Sequence, residues 1–120
     1  MSKILLKVSL KSKNEMHIFK GKGIKKDNKI NYNDNGVMTV LTLGEVIYLE
    51  RKDDFNLKLG FQLNQKIKGT YTLPEGVIDT ETYTKEIKFT KNGIKINYDL
   101  TINNVFIDNF LFNLKYTIDS

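Results

Sequence analysis

His17 and Arg51 are the single histidine and the single arginine of a 120-residue chain that has no cysteine. The counts alone remove several chemistries. Without cysteine there is no disulfide, thiol nucleophile, iron–sulfur cluster or cysteine-based zinc site. One histidine cannot build a multi-histidine metal centre. His17 could act as a general base, but it lies between Met16 and Ile18 with no serine or cysteine beside it to activate, and it reads as an exposed strand residue. Asp53-Asp54 reads as a turn pair that caps its own backbone. Asp79 and Glu81 share a strand face near Tyr83, where solvated polar side chains are the simpler reading. Gly21-Lys22-Gly23 lacks the further glycines and the helix of a phosphate loop and is expected to mark a bulge or a barrel corner. The expectation is a protein with no catalytic constellation, no metal and no cofactor.

Binding residues are easier to nominate. Arg51 lies at a strand end on the face of Ile47 and Leu49, where an inward guanidinium could hold a carboxylate. Tyr71 shares a face with Ile67 and Leu73, Tyr98 with Ile96 and Leu100, and Tyr116 with Leu114. A phenol on a dry face needs a hydrogen-bond partner. Together these four residues suit a small apolar or acidic ligand held inside a barrel, against the alternative that bulky side chains fill the interior.

A second candidate is electrostatic. Lys20, Lys22, Lys25, Lys26 and Lys29 could follow a phosphate backbone. The chain, however, has 18 Lys, 13 Asn and 13 Ile with one Pro and no Trp, a bias of the kind A/T-rich codons produce, so its net charge of +5 carries less weight. Residues 1–29 carry nine lysines against Glu15 and Asp27, whereas the rest of the chain is slightly acidic. A solvated hairpin is preferred to a nucleic-acid face here.

The elements that must position these residues follow a period of two. Phe55, Leu57, Leu59, Phe61 and Leu63 alternate with polar residues, as do Ile94, Ile96, Tyr98, Leu100 and Ile102. Turn signals separate such runs at Asn35-Gly36, Asp53-Asp54, Pro74-Glu75-Gly76 and Asn92-Gly93. Strands are predicted near 3–12, 15–22, 24–32, 37–43, 46–51, 55–63, 67–73, 77–84, 85–90, 94–103 and 105–118, some of them continuous. No stretch shows a helical apolar stripe. Hairpin following hairpin predicts one all-β domain over 1–120, an antiparallel up-and-down barrel of about eight to ten strands. The 37–51 hairpin is apolar on both faces, so Met38, Val40, Ile47 and Leu49 form a candidate surface for a homodimer or another protein. Near the start, Ile4-Leu5-Leu6 is followed by Lys7, too short an apolar run for a signal-peptide core or a membrane span, and a cytoplasmic location is expected.

Several short segments carry a resemblance. Lys29-Ile30-Asn31-Tyr32, Glu50-Arg51, Phe61, Tyr71 through Gly76, and Ile96-Asn97-Tyr98-Asp99-Leu100 resemble, in order, the YwiB-like family of small uncharacterised bacterial proteins. Asp53 stands where the family pattern has a turn glycine, and Leu73 where it has threonine, departures that bear on turn shape. The resemblance implies a calycin, or lipocalin-like, barrel and brings no catalytic residues with it.

Overall fold

The computed structural model describes residues 1–119; Ser120 lies outside them. Ten strands follow one another: β1 (Ser2–Lys11), β2 (Met16–Lys26), β3 (Lys29–Asp34), β4 (Val37–Thr42), β5 (Ile47–Lys52), β6 (Asn56–Phe61), β7 (Lys66–Leu73), β8 (Gly76–Thr90), β9 (Gly93–Ile102) and β10 (Val105–Ile118). Each pairs antiparallel with its sequence neighbours, and β1 also pairs with β10 along eight residues, which closes the barrel. Closure satisfies the edge strands that would otherwise recruit other chains. The described residues include no helix, and so none long and apolar enough to cross a membrane.

The turns show why this sequence folds into hairpins. Asn35 and Gly36 both have positive φ, 53° and 96°, as do Asn103 and Asn104, 51° and 65°. Two successive positive φ values match the right-handed twist of the flanking strands, and asparagine and glycine tolerate them. Alternation then sorts the side chains. Ile4, Leu6 and Val8 of β1, Ile30 of β3, Leu41 of β4, and Phe61, Ile96 and Leu114 meet in a single buried core.

Three expectations need correcting. The runs 15–22 and 24–32 are not two strands broken at Gly21 and Gly23: β2 passes through both without a register shift against β1. At Gly21 a Cβ would lie 2.6 Å from the Phe19 ring, and at Gly23 2.6 Å from the Asn31 carbonyl, so both glycines make room for their neighbours. The runs 77–84 and 85–90 form one strand, β8, bent by a bulge between Thr84 and Glu86. In the 37–51 hairpin, Ile47 and Leu49 are buried in the barrel, so of the four nominated surface residues only Met38 is exposed and Val40 half-buried. Closing the sheet turned one of that hairpin's apolar faces inward.

Candidate functional site

The antiparallel order brings the ends of β1, β3, β5, β7 and β9 together with the starts of β2, β4, β6, β8 and β10. At this mouth the inward side chains change character. Ile30, Tyr32 and Asp34 succeed one another along β3, and Ile47, Leu49 and Arg51 along β5, so each strand runs from apolar to charged. Asp34 is the centre of the cluster. Its side chain is only 6% exposed, and one carboxylate oxygen, Oδ2, takes both partners. Nε2 of His17 lies 2.8 Å away and Nη2 of Arg51 donates to it at 3.4 Å. A buried carboxylate needs such partners, because leaving it unpaired is costly.

His17 reaches Asp34 across a gap. β2 and β3 pair only from Lys26/Lys29 to Gly23/Tyr32. Beyond that point the strands part, and side chains span the seam: the Phe19 and Tyr32 rings stack with centroids 5.3 Å apart, and His17 bonds to Asp34. Below them Tyr98 packs between Phe61 and Phe110, at 4.6 and 5.6 Å between centroids. Burial holds the Tyr98 phenol well above its ordinary pKa, with the Arg51 charge opposing. Tyr32 is raised too, first by burial and then by the Asp34 charge, again against Arg51. Both phenols therefore sit within the field of one guanidinium and stay protonated, as neutral donors.

Two clefts open at this end, one walled by His17 and the other by Arg51. The first, ≈ 470 Å³, is lined by Leu10, Ser12, Glu15, Met16, His17 and Phe110. The second, ≈ 200 Å³, is lined by Val37, Arg51, Asp53, Phe55, Leu57 and Tyr71. In it the Phe55 and Tyr71 rings meet edge to face at 6.3 Å. Arg51 and Tyr71, nominated from the sequence on separate strands, thus share one cleft. Tyr98 lies beneath the mouth, and Tyr116 is placed far from all three, opposite Leu6 toward the other end of the barrel. Sequence reasoning missed Asp34, whose only signal was its place two residues after Tyr32 on an inward face. It also missed the reach of His17, which is 46% exposed yet anchored.

The chemistry open to this cluster is limited. Asp34 engages Nε2 of His17, and Nδ1 has no hydrogen-bond partner among the described residues, which suits hydrogen bonding to a ligand. Ser12 shares that cleft, but among the described residues no hydrogen bond joins it to His17, so no aligned nucleophile is present. Asp79 and Glu81 point outward from β8, alternating with the buried Thr80 and Thr82, and do not contribute to the mouth.

The family model described as Domain of unknown function (DUF1934) matches residues 7–114, nearly the whole barrel and all of this cluster. The chain belongs to the DUF1934 family. The fold agrees with a solved member of the same architecture: the structure titled "Crystal structure of ywiB protein from Bacillus subtilis" is similar over 97% of this chain and 92% of that one, with a TM-score of 0.64 at 16% identity. At that identity the likeness concerns the fold alone. No curated protein matches. This DUF1934 chain is accordingly an all-β, closed, ten-stranded antiparallel barrel, as the resemblance to the YwiB-like family implied.

Proposed function

We propose that this DUF1934 barrel is a non-enzymatic binder of a small carboxylate-bearing molecule with an apolar body, taken at the mouth and not in the barrel centre. The observation that carries the reading is the convergence of Arg51 and Tyr71 on one cleft beside the Asp34 cluster. Among the described residues the guanidinium makes one hydrogen bond, through Nη2 to Asp34, so its other N–H donors remain for a ligand. Phe55, Leu57 and Tyr71 supply the apolar wall. The central barrel does not offer the same space, because Ile4, Leu41, Phe61, Ile96 and Leu114 fill it with essentially no exposure.

Native mass spectrometry of gently purified protein tests the proposal. A retained mass that disappears on denaturation, and is lost in Arg51→Gln, is the expected result. Removing the charged donor should weaken binding about 10- to 100-fold, the range for hydrogen bonds to charged groups. A bare monomer, or a ligand held equally by Arg51→Gln, overturns it. A bare chain at twice the monomer mass would overturn it in favour of the dimer surface at Met38.

A further inference from the structure

The sheet register assembles a basic face that chain order conceals. β1 and β2 contain no carboxylate, and the single one on β10, Asp108, accepts from the Lys13 backbone at the mouth. On the outer side of these three adjacent strands stand Lys3, Lys7 and Lys11 of β1 and Lys20, Lys22 and Lys26 of β2. Lys115 of β10 joins them. Lys7 lies directly opposite Lys20 on one side and Lys115 on the other, so three ammonium groups form a row across three strands. Like charges placed directly opposite destabilise a sheet. Among the described residues none of these lysines has a salt-bridge partner. Elsewhere some outer lysines stand beside carboxylates, Lys52 with Glu50 and Lys85 with Asp99, although Lys88 and Lys95 also face each other.

Two ordinary explanations fall short. Lysines often protect the edges of sheets, but β1 is paired along both sides and has no edge. A lysine-rich codon bias would scatter lysine over the surface, and it does not leave two adjacent strands without a carboxylate; the one beside Lys3 and Lys22 is Asp119, past the end of β10. Two of the original five, moreover, are elsewhere: Lys25 points to the other side of β2 and bonds the Asp27 carbonyl, and Lys29 lies across the turn on β3.

The face carries two shallow, adjoining depressions. A depression of ≈ 620 Å³ lined by Leu5, Lys7, Lys20, Lys22 and Lys115 continues, through Lys7 and Lys115, into one of ≈ 130 Å³ beside Ser9 and Ile18. We infer that this face docks the phosphate backbone of a nucleic-acid duplex without reading its sequence. Three features select that occupant. Seven charges spread over three adjacent strands exceed what a small anion can neutralise. An extended acidic peptide presents same-face carboxylates only every ~6.6 Å, whereas duplex DNA carries one charge per ~1.7 Å of axis. Between the lysines lie aliphatic Leu5 and Ile18, with Tyr116 the single aromatic of the two depressions, and not the row of exposed aromatics that a single strand stacks on.

Fluorescence anisotropy tests this with a mixed-sequence DNA duplex of roughly 20 base pairs, longer than the ~35 Å of β2. The logarithm of affinity should fall with the logarithm of salt at a slope of about −4 to −6, for four to seven lysines engaged. Lys7→Gln with Lys20→Gln should reduce that slope by about 2, while Lys66→Gln with Lys68→Gln, on β7 across the barrel, leaves it unchanged. Circular dichroism confirms that both variants fold. No binding at low salt, an equal loss in both double variants, tighter binding of the single strand, or equal binding of polyglutamate would each overturn the inference.

Discussion

The barrel is seamed in two places where neighbouring strands stop pairing, and the two seams are closed by different means. β6 leaves β7 after Lys58/Thr70 and crosses onto β8. There the Thr82 hydroxyl donates to the Gly60 carbonyl, and the Asn64 N–H donates to the Thr84 carbonyl at 2.8 Å. β2 leaves β3 after Gly23/Tyr32, and only side chains span the gap, the Phe19–Tyr32 stack and the His17–Asp34 bond. The first seam is closed by a buried hydroxyl and a backbone hydrogen bond; the second is half-exposed and titratable. A seam held by backbone and core packing serves stability, whereas one held by ionisable side chains beside open clefts is where binding can be coupled to small movements.

The largest effect should come at the first seam. A Cβ on Gly69 would collide with the Lys58 carbonyl and press on the Thr80 hydroxyl, and neither strand can withdraw without breaking pairs. Gly69→Ala is expected to cost on the order of 3 kcal/mol, the upper end of overpacking, read from chemical denaturation. If Gly69→Ala unfolds at the wild-type midpoint, the β6/β7 crossing is looser than described.

High pH should act at the second seam, through Tyr32, and in the core beneath it, through Tyr98. Tyr32 and Tyr98 hold their protons more tightly in the folded barrel than in the unfolded chain, chiefly through burial. The neutral phenol is the form that the fold favours. The stability this gives is intact below the ordinary phenol value near 10 and is lost as pH rises above it. Alkaline titration should therefore show the tyrosinate absorbance of these two residues appearing together with loss of native circular dichroism. Their ionisation inside an intact barrel would contradict the burial on which the assignment rests.

Threonines on β8 sharpen the comparison further. Thr82 and Thr84 are equally buried, but Thr82 donates across the first seam while the Thr84 hydroxyl has no partner among the described residues. Thr82→Val should cost about 1–2 kcal/mol, since it leaves a buried carbonyl without its donor. Thr84→Val removes an unsatisfied hydroxyl at nearly constant volume and is expected to be neutral or slightly stabilising. Equal melting shifts for the two variants would mean that the Thr82 bond does not close the seam.

Much of this was legible in the sequence because period-two alternation and paired turn residues are local signals. Most of the strands, the hairpin order and much of the inward set follow from them, although the predicted run 24–32 spans the turn at Asp27-Asn28 between β2 and β3. What depends on register was not legible. Asp34 looks like an ordinary residue before a turn until β2 is laid beside β3, and Lys115 lies 95 residues from Lys20 in the chain yet only one strand beyond Lys7. Arg51 was readable as inward-pointing, but not its engagement with Asp34, which joins positions 17 residues apart. Gly21 and Gly23 were misread because a glycine that breaks a strand and one that yields space to Phe19 or Leu6 look alike before packing is known.

The smallest effects belong to the Asp34 latch, and their size decides what the latch is for. Its partners are substantially solvated, with His17 46% and Arg51 32% exposed, so screening discounts both interactions. Asp34→Asn keeps the shape and removes the charge, and should cost about 1 kcal/mol; His17→Gln should stay within about 0.5 kcal/mol, as surface changes do. In hydrogen exchange, either variant should speed the amides of Met16–Lys22 on β2 while leaving those of β6 and β8 as in the wild type. That pattern would place the opening at the second seam alone, beside the cleft that holds Arg51. Uniform acceleration across all ten strands would instead make Asp34 a general stabilising element of the barrel, and the two seams would differ in chemistry without differing in role.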